Sequence, residues 1–108
     1  MKILLAAILC SLCVWGYSTK GMVTYKKLCS LCHGPAFKGA AMLNSDEWDE
    51  MFADDARRLK AIHKKDPKAL EKLNGSYFER HVKYLAPFLR NNGRDTGAVR
   101  SCDGLNCG

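Results

Sequence analysis

Cys29-Ser30-Leu31-Cys32-His33, followed at once by Gly34-Pro35, is the stretch on which the reading of this chain turns. Two thiols separated by two residues are spaced to add across the two vinyl groups of one haem, giving two thioether bonds. The imidazole next to the second thiol then lies beneath the iron as its proximal ligand. A bare Cys-x-x-Cys would serve a redox dithiol or half of a zinc site equally well. The histidine directly after Cys32 moves the chemistry to haem c, with Cys29 and Cys32 as covalent attachment points and His33 as an iron ligand.

Upstream of the motif the chain reads as an export signal. Lys2 supplies a short positive region, and a largely apolar run of about 13 residues follows from Ile3 to Trp15. Cleavage after Gly16 sets Val14 and Gly16 at the minus-three and minus-one positions and is preferred, with cleavage as late as Ser18 the second choice. Residues 1–16 are therefore expected to be a signal peptide, and the mature chain to be periplasmic. The run is too short for a permanent transmembrane helix, so membrane association is not required. Cys10 and Cys13 leave with it; each follows a leucine, a poor context for lipid modification.

The 108 residues allow one small domain. With the leader gone, roughly 90 remain, a size at which the apolar core is thin. A haem would add a large flat apolar surface at its centre, and folding should be coupled to attachment as it is in small metal domains. The formal charge of +6 becomes +5 without Lys2 and suits an acidic protein partner or an anionic surface. No nucleic-acid module is present, because the basic residues are not interleaved with stacking aromatics.

Hydrophobic periodicity is helical throughout, with no convincing alternating strand. A first helix is expected from about Lys20 to Leu31, ended by Gly34 and Pro35, with a loop from Pro35 to Asn44. Asn44 and Glu47 form a capping-box pair at the start of a second helix. Its apolar stripe is Trp48, Met51, Phe52, Ala56, Leu59, Ile62 and His63. Acidic residues 46, 47, 49 and 50 open that helix and Lys60, Lys64 and Lys65 close it, complementing its dipole. Asp66-Pro67 breaks it and opens a short helix through Lys72. Ser76 and Glu79 form a second capping pair for a last helix, Tyr77 to about Arg90, with Phe78, His81, Leu85, Phe88 and Leu89 inward and a kink or lost bond at Pro87.

With those residues identified, the chain resembles the class I monohaem cytochromes c, and most closely the short exported bacterial ones. Gly21, Tyr25, Cys29, Cys32, His33 and Gly34 reproduce the family's Gly-x3-aromatic-x3-Cys-x-x-Cys-His-Gly pattern. The resemblance is specific over roughly residues 20–40, supportive over the last helix and weak between. It implies an all-α fold, a small cytochrome c-like helical domain wrapped around one covalently attached haem and spanning residues 17–93. It also implies that the C-terminal helix crosses the first helix at Gly21, with Tyr25 packing at the same contact and Tyr77, Phe78, Tyr84 and Leu85 on the other side. The chain departs from the family distally. Class I members place a methionine ligand in a loop before the C-terminal helix, and no methionine lies between Phe52 and Tyr77.

The sixth ligand is therefore open among His63, His81, Met51, Met42 and no residue at all. His63 stands on an otherwise apolar stripe near a helix end and is the preferred candidate. His81 reads first as a packed histidine and Met51 as a core filler, while Met42 has a short path from His33. In residues 94–108, a tail, Cys102 and Cys107 frame a small loop and are expected to form a local disulfide in an oxidising compartment. The function expected is single-electron transfer between redox partners, with no catalytic residue set and hence no enzyme. Lysines including the 26–27 and 64–65 pairs, Lys38 and Lys83 would steer an acidic redox partner. The competitors are a haem protein with an open distal site that binds NO or CO, and a non-haem dithiol protein.

Overall fold

The computed structural model describes residues 19–97, and all of their regular structure is helical. The expected leader and the Cys102–Cys107 pair lie outside the described residues. In chain order the elements are α1 (residues 19–28), α2 (Ser30–His33), α3 (Ala36–Ala40), α4 (Ser45–Ile62), α5 (Pro67–Leu73), α6 (Ser76–Asn91) and a 3-10 turn at Arg94–Thr96. No strand occurs among the described residues, and the chain is all-α over this span. None of these helices is long and apolar enough to cross a membrane.

Helix starts follow local chemistry at two places. The Asn44 side chain accepts from the α4 backbone while Glu47 Oε1 accepts from the Asn44 N–H at 3.0 Å, a complete capping box. Asp66 caps α5 by accepting from the Ala69 N–H at 3.2 Å, and Pro67 fills the first helical position, where no N–H is required. The expected pairing of Ser76 with Glu79 does not form. Ser76 is already helical, Gly75 occupies the cap position, and the Glu79 amide donates to the Gly75 carbonyl instead. α6 passes through Pro87 without ending.

The expected loop from Pro35 to Asn44 contains α3. Its small residues explain it: Ala36, Gly39 and Ala40 are buried, with the Tyr25 ring lying directly against Gly39. The Trp48 Nε1–H donates to the Ala40 carbonyl at 2.8 Å, so the end of this short helix is held by a buried indole. The core is closed by Tyr25, Trp48, Leu73, Phe78, Leu85, Phe88 and Leu89, drawn from α1, α4, α5 and α6. The turn at Arg94–Thr96 extends the packed body past residue 93. Asp95 Oδ1 accepts from both the N–H and the hydroxyl of Ser45, which holds its carboxyl below the usual range, and the Arg94 amide donates to Leu43.

α1 and α6 meet at Gly21. A Cβ there would lie 2.5 Å from Phe88 Cβ and 2.7 Å from the Tyr84 carbonyl oxygen, so only glycine permits this approach. Phe88 and Tyr84 thus stand at Gly21 itself, and further along α1 the Lys27 ammonium lies 5.2 Å from the Tyr77 ring centre. Tyr25 reaches Gly34 and Gly39. Gly21→Val is expected to destabilise the protein by about 2–3 kcal/mol through overpacking against backbone. Its urea midpoint should drop while the slope of the transition stays unchanged.

α4 is not one continuous right-handed helix. Ala53 is extended (φ −63°, ψ 152°), and Asp54, Asp55 and Ala56 follow with φ of 52°, 58° and 55°. Left-handed backbone costs an L-residue about 1–2 kcal/mol at each position. The interruption re-aims the second half of the helix. Ala56 is buried and Leu59 and His63 are half-buried, whereas Ile62 is 59% exposed and leaves the stripe to which a regular period assigns it.

Candidate functional site

α1 ends in a turn at Cys29, and α2 resumes the helical path through Cys32 and His33. The amide of His33 donates to the Cys29 carbonyl at 3.0 Å, and that of Gly34 to the Ser30 carbonyl at 2.9 Å. Gly34 has φ 79°, which stops the helix directly after His33. The Tyr25 hydroxyl donates to the Gly34 carbonyl at 2.9 Å and so fixes the exit of the motif against α1. Cys29 and Cys32 both carry free thiols, Cys29 half-buried against the core and Cys32 exposed.

The decisive pairing lies between His33 and His63. Their ring centres are 6.2 Å apart and the rings stand at 87° to one another. An imidazole nitrogen sits about 2 Å from a bound first-row metal and about 1 Å from its ring centre, so two imidazoles on opposite sides of one ion have centres about 6 Å apart. The His63 Nδ1 lies 2.7 Å from the Leu59 carbonyl. A carbonyl only accepts, so Nδ1 carries the proton and Nε2 keeps its lone pair, the tautomer of a metal-ligating histidine with a backbone partner. The carbonyl is within reach because His63 caps α4: its own amide donates to Lys60, one residue further along the chain than Leu59.

Among the described residues no three His, Cys, Asp or Glu side chains gather where they could hold a metal ion. Cys29, Cys32, His33 and His63 therefore do not form a zinc-type four-ligand cage. Two imidazoles with ring centres 6.2 Å apart, and two free thiols in the same segment as one of them, would suit a metal held in a prosthetic group. Haem is such a group: His33 and His63 would hold its iron, and Cys29 and Cys32 its periphery. Leu28, Phe37, Met51, Phe52 and Leu59 are half-buried and packed on the core.

The other distal candidates stand elsewhere. His81 sets its Nδ1 on the Tyr77 carbonyl at 2.8 Å, just as His63 does on Leu59, but its ring stacks on Tyr77 at 4.0 Å and lies beside Tyr84. Met51 packs against the core, and Met42 is exposed. Sequence reasoning overlooked two neighbours. One is Leu59, whose carbonyl sets the His63 tautomer; the signal was its position four residues before a helix-terminal histidine. The other is Lys72 of α5, whose charge acts on the Cys29 thiol and which no local pattern connects to it.

Burial pushes the Cys29 thiol up to about 12, against a smaller downward pull from Lys72 and an upward push from Cys32. Cys32 is also the exposed thiol, so the haem-free protein should alkylate at Cys32 before Cys29 at pH 8, by about tenfold or more in rate, as peptide mapping would show. The sign for stability follows from linkage. The unfolded thiol releases its proton near pH 9 and the folded one near 12, so stability is intact below about pH 9 and declines as pH rises toward 12. Comparison of the chain with family models, curated proteins and solved structures finds no match.

Proposed function

We propose that this chain is an exported, periplasmic monohaem c-type cytochrome that carries single electrons between redox partners. The observation that carries the reading is the 6.2 Å approach of the His33 and His63 rings, with the free thiols of Cys29 and Cys32 in the same segment as His33. When bound, haem c supplies one-electron exchange between Fe(II) and Fe(III). The chain's own residues do the rest. Cys29 and Cys32 would tether it, His33 and His63 would ligate its iron, and the Leu59 carbonyl, accepting from Nδ1 of His63, would leave Nε2 for that role. Two imidazoles would place the potential below that of a His/Met pair, because a thioether ligand raises it.

Charge supports an acidic partner. Lys38 borders Gly34, Lys72 acts on Cys29, and Lys64 and Lys65 are exposed directly after His63, whereas the acidic residues 46, 47, 49, 50, 54 and 55 lie on the first part of α4. A basic surface beside the iron ligands would steer an acidic redox protein, at a rate that falls with ionic strength.

The test is expression in a host competent for haem attachment. The mature protein should keep a haem stain through denaturing electrophoresis and gain the mass of one haem. Its spectra should be low-spin in both oxidation states, and redox titration should fit one electron. A chain that leaves that host without covalent haem overturns the proposal.

A further inference from the structure

The interruption in α4 lies between the part of the helix anchored by Trp48 and the part that carries His63. Asp54, Asp55 and Ala56 adopt left-handed backbone with no glycine among them, and Ala53 is extended before them. Backbone outliers of this kind persist only where surrounding contacts hold them, and they concentrate at switching and ligand-holding sites. The contacts that hold this one are few. Ala56 is buried. Glu50 Oε2 pairs with Arg58 Nη1 at 3.0 Å across the interruption, and Asp55 Oδ2 with Lys60 Nζ at 3.5 Å.

A continuous right-handed path through the same residues is an alternative with identifiable gains and losses. It removes the three left-handed residues. It also returns Ile62, now 59% exposed, to within about 40° of the direction of Trp48 on the helix surface. Against it, residues 50 and 58 would stand about 12 Å apart along the axis, too far for their ion pair. His63 would also leave its place opposite His33. The bent form is thus held by two surface ion pairs, one buried methyl and whatever His63 binds.

We propose that residues 53–56 are a hinge that holds His63 opposite His33 and, by passing to right-handed helix, releases it and opens that coordination position to a small neutral diatomic ligand. The inference rests on His33 and His63 being the iron ligands. Ligand uptake is then gated by the population of the right-handed form, and a ligand that needs the vacated position shifts the equilibrium toward it.

Two substitutions at one position push the hinge in opposite directions. Asp55→Gly removes the penalty for positive φ, which outweighs the loss of the long, exposed pair with Lys60, and favours the bent form. Asp55→Val places a β-branched residue where positive φ is most costly and favours the right-handed form. With carbon monoxide as probe on the reduced haem protein, binding should be about tenfold slower in Asp55→Gly and about tenfold faster in Asp55→Val. Glu50→Gln, which touches only the exposed pair and leaves the core alone, should speed binding about twofold and covers a failure of Asp55→Val to fold. His63→Ala should bind fast whatever stands at position 55. Backbone carbon chemical shifts of residues 53–56, read on haem-free and haem-loaded full chains, should report positive φ in the parent and in Asp55→Gly, and a right-handed population in Asp55→Val. Equal carbon monoxide rates in Asp55→Gly, Glu50→Gln and the parent, with covalent haem present, would overturn the hinge and leave the electron carrier standing. Right-handed shifts at 54–56 in the parent would also overturn it. A chain without covalent haem would remove the carrier reading itself, and ligand gating with it.

Discussion

His63→Ala, matured with haem, is expected to show an unchanged haem content and a changed iron. The low-spin six-coordinate spectrum of the parent should become five-coordinate and high-spin, and added imidazole should restore the parent spectrum. His33 belongs to the Cys29–His33 segment, and among the described residues His63 is the histidine whose ring approaches it, at 6.2 Å. The His81→Ala variant is the control and should leave the spectrum unchanged, because that ring is stacked on Tyr77. Stability separates ligation from packing. His63 is only half-buried at the end of α4, so its loss from the haem-free protein should cost no more than about 0.5 kcal/mol. In the haem-loaded protein the loss should be several times larger, since it removes a bond from the metal to a helix that is otherwise far along the chain. Equal losses in the two forms, or a Met-to-iron charge-transfer band in the parent near-infrared spectrum, would count against His63.

Replacing Cys29 and Cys32 together by alanine should have the largest effect on the molecule as a whole. Acid and organic solvent should then extract the haem, and the stain should be lost in denaturing electrophoresis. Cys29 and Cys32 enclose only a short segment, and closing so small a loop constrains the unfolded chain by about 2 kcal/mol. For a domain of this size that lowers the melting temperature by roughly 8–15 °C. The two single variants should differ. Cys29 packs on the core and Cys32 is exposed, so Cys29→Ala also opens a gap against buried neighbours. Cys32→Ala should therefore be the milder of the two in melting temperature, although each removes one thioether.

The helical class was legible because its signals are local. Asn44 with Glu47, and Asp66 before Pro67, each hold their helix starts through contacts within a few residues, and both pairings form. Gly21 was legible for another reason: the absence of a side chain on an apolar helix face has few structural uses besides close approach. Ser76 with Glu79 misled because Gly75, one residue earlier, offered the backbone a cap position that needed no side chain. α3 was missed since its residues are small, and their burial under Tyr25 and beside Trp48 decides their conformation. Ile62 was misplaced because the stripe was counted at one period through a segment that reverses its hand.

By itself, then, the sequence determined the helical class and put Cys29, Cys32 and His33 in one short segment, with a second histidine thirty residues on and no methionine between Phe52 and Tyr77. It left four candidate side chains for the far side of the proposed iron. Only the tertiary structure brought one of them, His63, to a ring-centre distance of 6.2 Å from His33, on an α4 that passes through a left-handed step at Asp54–Ala56. The physical reason is range. Attachment chemistry depends on neighbours in the chain, whereas the position of the opposing ring depends on the path of a helix bent by packing against α6 and the core.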